Sequence, residues 1–156
     1  MRAKFINEYL ELPGKSEEEI INDLKKLPKS KLNLNLFGAC YAENIYKVKM
    51  LLKAGADPNY INEYGQSLLA LAAADACEEI IKELLDNGAD VNIQNEHGWT
   101  ALMWASRHGF NRIVDLLLKH GANPFIKNSA GNNAIYFATI NKFTNIVYKL
   151  KRIKPL

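Results

Sequence analysis

Apolar positions along this chain fall into short helical stripes that come in pairs. Over 111–121, Ile113, Val114, Leu116, Leu117 and Leu118 lie at helical spacing and run into Gly121, which can take the left-handed conformation that closes a helix. Together with the stretch before it, 98–123 reads as helix, turn, helix, closed by Gly-Ala-Asn. Neither half could bury its apolar stripe alone, so the unit predicts stacking partners on both sides.

Upstream, Phe5, Ile6, Tyr9, Leu10 and Leu12 predict a short helix or turn over 1–14, stopped by Pro13 and Gly14. Ser16 followed by Glu19 is a capping box, and Ile20, Ile21, Leu24 and Leu27 form the apolar stripe of a helix that ends before Pro28. The polar face of that helix, with Glu17, Glu18, Asn22, Asp23, Lys25 and Lys26, suits the end of a stack, where one side must meet water.

Beyond Lys31 the pattern repeats. Gly55, Gly88 and Gly121 stand 33 residues apart, each opening Gly-Ala-Asp or Gly-Ala-Asn. The same step joins Ala39, Ala72, Ala105 and Ala138, then Leu51, Leu84, Leu117 and Leu150, then Leu36, Leu69, Leu102 and Ile135. Small residues at Ala72, Ala73, Ala105 and Ser106 would let neighbouring helices approach closely.

A 33-residue step holding a turn and two helices is the ankyrin period. The third unit matches most fully, with Asn95, Gly98, Thr100 and Leu102 in Asn-x-x-Gly-x-Thr-x-Leu, then Ala105, Ile113 and Val114, Leu116 to Leu118, and Gly121-Ala122-Asn123. On these residues the chain resembles the ankyrin-repeat family. The resemblance implies an all-α solenoid of stacked helix-turn-helix units joined by β-hairpin-like loops, in one domain. It divides the chain into an N-terminal helical cap over 1–31, repeats over 32–61, 62–94 and 95–127, and a last repeat with C-terminal cap over 128–156. Where the family commonly has Thr-Pro-Leu-His, this chain has Ser67-Leu68-Leu69-Ala70, Thr100-Ala101-Leu102-Met103 and Asn133-Ala134-Ile135-Tyr136. Losing the proline removes a preset first turn, and losing the histidine removes its hydrogen bonds, so ordinary rather than exceptional stability is expected.

Composition narrows the function. The 156 residues are 48% hydrophobic and 24% charged, as in a soluble folded domain, with a net charge of +3. No window approaches the roughly 18 apolar residues of a membrane span, and the first residues lack the apolar core of a signal peptide, so a cytoplasmic protein without membrane contact is expected. Cys40 and Cys77 cannot build a disulfide framework and read as reduced thiols. His97, His108 and His120 are 11 and 12 residues apart, which gives no helical ligand pair. Phosphate-binding, zinc-protease and serine-hydrolase motifs are missing. The expectation is therefore no enzyme, no cofactor, no metal and no small-molecule substrate.

In the ankyrin family the inner helices and hairpin tips line a concave groove. By this resemblance Gly38, Leu71, Trp104 and Phe137 point into it, with Tyr41, Ala74, Arg107 and Ile140 in a parallel row and Ala42, Asp75, His108 and Asn141 beyond. The hairpin tips add Glu63, Tyr64 and Gln66, then Glu96, His97 and Trp99, then Ser129, Ala130 and Asn132. Tyr64, Leu71, Trp99, Trp104, Arg107 and Phe137 are the candidate partner-binding residues, because large aromatic side chains and arginine dominate interface energies. Against this, Trp104 could be core packed on Met103 and Phe137, and Trp99 could brace its hairpin. The function expected is a monomeric, non-catalytic module that binds a partner protein or peptide. Two alternatives are a structural subunit of a homo- or hetero-assembly, and an anionic or nucleic-acid surface binder using the lysines over 25–31 with Lys149, Lys151, Arg152 and Lys154. Charge near chain ends more simply keeps those ends in water, so nucleic acid is the weaker partner.

Overall fold

Each pair of apolar stripes becomes a pair of antiparallel helices. The computed structural model describes residues 14–154, so the turn or helix expected from Phe5 to Leu12 lies outside the described residues. The cap helix α1 (Glu17–Leu24) begins with the expected capping box: the Glu19 amide donates to Ser16 Oγ at 3.3 Å, and the Ser16 amide donates to the Glu19 carboxylate at 2.7 Å. That bond holds the Glu19 carboxyl below its usual range. α1 packs on α3. On its polar face Lys15 and Lys26 donate to Asp23 at 2.5 and 2.8 Å, which holds that carboxyl down to about 2.

Four helix pairs follow. They are α2 (Lys29–Tyr41) with α3 (Ile45–Lys53), α4 (Leu68–Ala74) with α5 (Glu78–Asp86), α6 (Ala101–His108) with α7 (Asn111–Lys119), and α8 (Ala134–Ile140) with α9 (Thr144–Lys151). The first helices stack as α2, α4, α6, α8 in an inner layer, while α3, α5 and α7 stack behind them. Helices this short are marginal alone, so their order comes from the packing between pairs. Leu51, Leu84, Leu117 and Leu150 are each 0% exposed, which makes this row the seam between the two layers. The alanine row at Ala39, Ala72, Ala105 and Ala138 is equally buried, and those small side chains set how closely the inner helices approach.

Ser106 shares that close approach and has a cost. Its side chain is fully buried, and Oγ has no hydrogen-bond partner among the described residues. An unsatisfied buried hydroxyl is unfavourable, so Ser106→Ala should raise stability by about 1 kcal/mol, read as a higher urea midpoint at unchanged slope.

α2 follows Pro28 and has no side-chain cap. The inner helices α4, α6 and α8, without proline at their first turns, are capped by side chains in the same register. Ser67 Oγ accepts from the Ala70 amide at 3.4 Å, Thr100 Oγ1 from Met103 at 3.3 Å, and Asn133 Oδ1 from Tyr136 at 2.9 Å. A second registered feature closes each inner helix. Glu43, Ala76, Gly109 and Lys142, again 33 apart, all have positive φ, at 53°, 59°, 75° and 62°. Only the third is glycine, and side chains at the others carry the left-handed penalty of about 1–2 kcal/mol. Ala76→Gly should therefore stabilise the chain by about 0.5–1 kcal/mol once glycine's larger unfolded-state entropy is subtracted, a shift measurable by chemical denaturation.

The hairpins between pairs are pinned by asparagines in one register. The side-chain oxygen of Asn62 accepts from the Tyr64 and Gln66 amides at 3.0 and 2.9 Å. That of Asn95 accepts from His97 and Trp99 at 3.0 and 2.9 Å, and that of Asn128 from Ala130 and Asn132 at 3.1 and 3.0 Å. Successive hairpins also join each other, with the Glu96 amide donating to the Gly65 carbonyl and the Ser129 amide to the His97 carbonyl, both at 3.0 Å. Asn59 and Asn92 tie the other end of the stack, where their side-chain oxygens accept from the Asp90 and Asn123 amides of the next turn at 2.7 Å. The hairpins thus form a fixed wall beside the inner helices.

Candidate functional site

Trp99 is placed by that wall. Its amide donates to the Asn95 side chain at 2.9 Å and its carbonyl accepts from the Asn95 amide at 3.0 Å, so the indole projects from a pinned hairpin leg. Trp104 comes from the first turn of α6, which Thr100 caps. The two rings meet at the corner where hairpin turns into helix, with centroids 4.6 Å apart and planes tilted 33°. On its other side Trp99 stacks on Phe137 of α8 at 4.5 Å and 28°. The run of rings continues from Trp104 to His108 at 6.0 Å and from His108 to Phe110 at 5.5 Å, both nearly parallel. Arg107, one helical turn beyond Trp104, holds its Cζ 5.5 Å from the Trp99 ring centre and 5.8 Å from that of Trp104. Such contacts attract the guanidinium to the negative faces of the rings.

The aromatic row is therefore not the open ladder that the repeat register suggests. Leu71 and Trp104 are half-buried as groove-lining residues would be, but Phe137 is only 6% exposed. The reason is that Trp99 lies over it and Tyr136 meets it edge-on at 5.5 Å. Phe137 thus supports the indole that takes its place at the surface. Tyr64 is 69% exposed on the preceding hairpin and has no ring partner among the described residues, so it stands apart from the cluster. Between Leu71 and Trp104 lies a pocket of about 170 Å³, whose wall also includes Gln66, Ser67, Ala70, Ala74 and Asn95.

Elsewhere the chemistry is subdued. Cys40 is buried in the inner layer, and burial pushes its thiol up to about 12. Cys77, just before α5, is pushed up to about 11 by burial and then by Glu43 and Asp75. Neither thiol is supplied with the thiolate that a nucleophile needs. His97 sits 3.4 Å from Glu96 on a hairpin, His108 ends α6 and His120 caps α7, so the three histidines remain dispersed. Among the described residues no group of three His, Cys, Asp or Glu side chains could hold a metal ion. No described helix is long and apolar enough to cross a membrane. An open cleft of about 570 Å³ at the starts of the outer helices is lined by Glu43, Glu78, Glu79, Lys82 and Arg112 with Ile45, Cys77, Ile80 and Leu116, a mixed set with no converging charge.

The family model described as Ankyrin repeats (3 copies) matches residues 36–128 and again 69–153. The chain belongs to the ankyrin-repeat family. No curated protein matches it. Ankyrin repeats are generally protein–protein interaction modules and are typically non-catalytic.

Within this ankyrin stack, Leu71, Trp104, Arg107 and Phe137 lie on inner helices as the register places them, but the register missed that Phe137 is buried and that rings of the hairpin and the helix meet. Pairing of Trp99 with Trp104 carries no periodic signal, because one residue is on a hairpin and the other on a helix. His108 and Phe110 likewise join the ring stack from the turn that leaves α6. A hint did exist in composition, since both tryptophans of the chain fall within the same repeat.

Proposed function

We propose that this ankyrin stack is a non-catalytic interaction module that receives a segment of a partner protein across Leu71, Trp104, Trp99 and Arg107. The observation that carries the reading is the pair of half-buried indoles, set side by side on a pinned hairpin and a capped helix, with a guanidinium resting on both. Rigid aromatic side chains lose little entropy on binding and cover a large area, which is why such residues concentrate interface energy. Phe137 acts from beneath by fixing Trp99, and Tyr64 belongs to the rim. The terminal cations offer less support for an anionic partner, since Lys26 and Lys149 already pair with Asp23 and Asp115 at 2.8 and 2.7 Å.

Capture from the native cell extract, run in parallel with wild type and Trp104→Ala, tests the reading. Proteins retained by wild type should be lost by the variant, and with a purified partner the affinity should fall by about thirtyfold or more, the range of an interface hot spot. The far-ultraviolet circular dichroism should stay close to that of wild type. Equal retention by the two proteins would overturn the docking surface, and loss of helical signal together with binding would favour Trp104 as core. Arg107→Ala removes an exposed side chain and gives a second, milder variant in which folding is not at risk.

A further inference from the structure

We infer that the partner segment carries a carboxylate, set among large apolar side chains, that pairs with Arg107. The inference rests on the docking reading above and names the chemistry of its occupant. Exposed acids border the face at Asp75, just after α4, and at Glu63 and Glu96 on the hairpins, but the inner helices of the second, third and fourth repeats, LLALAAA, ALMWASRH and AIYFATI, contain one formally charged side chain at neutral pH, Arg107. No ion pair or hydrogen bond among the described residues involves its guanidinium, whose contacts are the two indoles. Ring contact consumes none of the five N–H donors of a guanidinium through a hydrogen-bond acceptor, so these stay available to one.

A partner that covers Trp99 and Trp104 must also strip water from this cation. An apolar partner alone would leave an uncompensated charge at a newly buried interface, which opposes binding. One carboxylate removes the problem, because its two oxygens match the guanidinium fork. The neighbouring pocket shows what flanks that carboxylate. Among its polar wall groups, Ser67 Oγ is already used by the Ala70 amide, and the Asn95 side-chain oxygen by His97 and Trp99. The Gln66 side-chain oxygen is likewise taken, by the Asn62 side-chain amide at 2.9 Å. With those acceptors engaged, the rest of the wall, Leu71, Ala70, Ala74 and Trp104, favours an apolar side chain in the pocket of about 170 Å³. The segment that fits is thus a peptide with Asp or Glu next to large aliphatic or aromatic residues, and the chain's net charge of +3 favours its approach.

The test uses a displayed library of random linear peptides selected on the 156-residue chain. Enriched sequences should share an acidic residue beside large apolar ones. A synthetic member should bind Arg107→Gln about tenfold or more weakly and Arg107→Glu more weakly still, with affinity falling as salt rises. Changing the peptide's acidic residue to lysine should restore binding to Arg107→Glu and to no other form. Enriched peptides without an acidic residue, or equal binding to wild type and Arg107→Gln, would overturn the carboxylate; if those peptides still lose Trp104→Ala, the docking surface survives. Peptides that bind Trp104→Ala as well as wild type, or a library that enriches nothing, would overturn the carboxylate and the docking surface together.

Discussion

Replacing Leu117 with alanine is expected to cost about 2–5 kcal/mol. Leu117 is 0% exposed and lies in the row shared by Leu84 and Leu150, where the outer layer meets the inner one. Removing its branched end deletes apolar packing of α7 against the helices it meets, α6 of the same repeat and α5 of the one before. The lining is held by helices stacked in register, with α6 capped by Thr100, so collapse into the void would be partial. Chemical denaturation followed by circular dichroism would read the loss as a lower midpoint. A change below about 1 kcal/mol would mean that the repeats can slide to fill the space, and the layers would then be softer than their burial implies.

Gly98→Ala should cost about 2–4 kcal/mol for a different reason. Gly98 has φ of 76°, and an added Cβ would stand 2.9 Å from Asn128 Cα and 3.1 Å from the Ser129 amide nitrogen. Those are backbone atoms of the next hairpin and cannot turn aside as a side chain could. The left-handed conformation contributes about 1–2 kcal/mol and the forced separation of the hairpins the rest. Gly121→Ala separates the two terms: Gly121 has φ of 85° but nothing within 4 Å of the added Cβ, so only the conformational part of about 1 kcal/mol is expected. Denaturation midpoints of the two variants, compared with wild type, check both numbers. Equal losses would show that the hairpins are not in forced contact. Because Trp99 follows Gly98 directly, the first variant should also disturb the indole pair, visible as a change in tryptophan fluorescence.

The placement of the site was legible in part. The 33-residue register put Leu71, Trp104 and Arg107 on the inner helices and Tyr64 and Trp99 on hairpins, which the structure reproduces. What the register could not do was rank them by exposure. Phe137 occupies the same step as Trp104, yet one is buried and the other half-buried, because Trp99 leans across to the fourth repeat and covers Phe137. Equivalent positions in a repeat are equivalent in backbone only. The reach of a neighbouring large side chain is set by the particular residue and breaks the equivalence.

The turn between paired helices also departs from residue type. The left-handed residue recurs at Glu43, Ala76, Gly109 and Lys142, but only Gly109 announces it by residue type. At the other three, packing of the helix pair overrides the local preference of an L-residue. The pinning asparagines were closer to legible, since Asn62, Asn95 and Asn128 recur every 33 residues, but a recurring residue does not reveal which amides it receives.

By itself, then, the sequence determined the number of helix pairs, their order, the buried rows and the family, because each repeat buries the same positions against the next and so writes its period into the chain. Only the tertiary structure decided which aromatic rings remain at the surface, that Trp99 and Trp104 meet, and that Arg107 rests on both without an ion-pair partner among the described residues. Those facts depend on distances between a hairpin of one repeat and helices of the same and the following repeat. Periodicity constrains burial along a helix, and it is silent about side chains that meet around a corner.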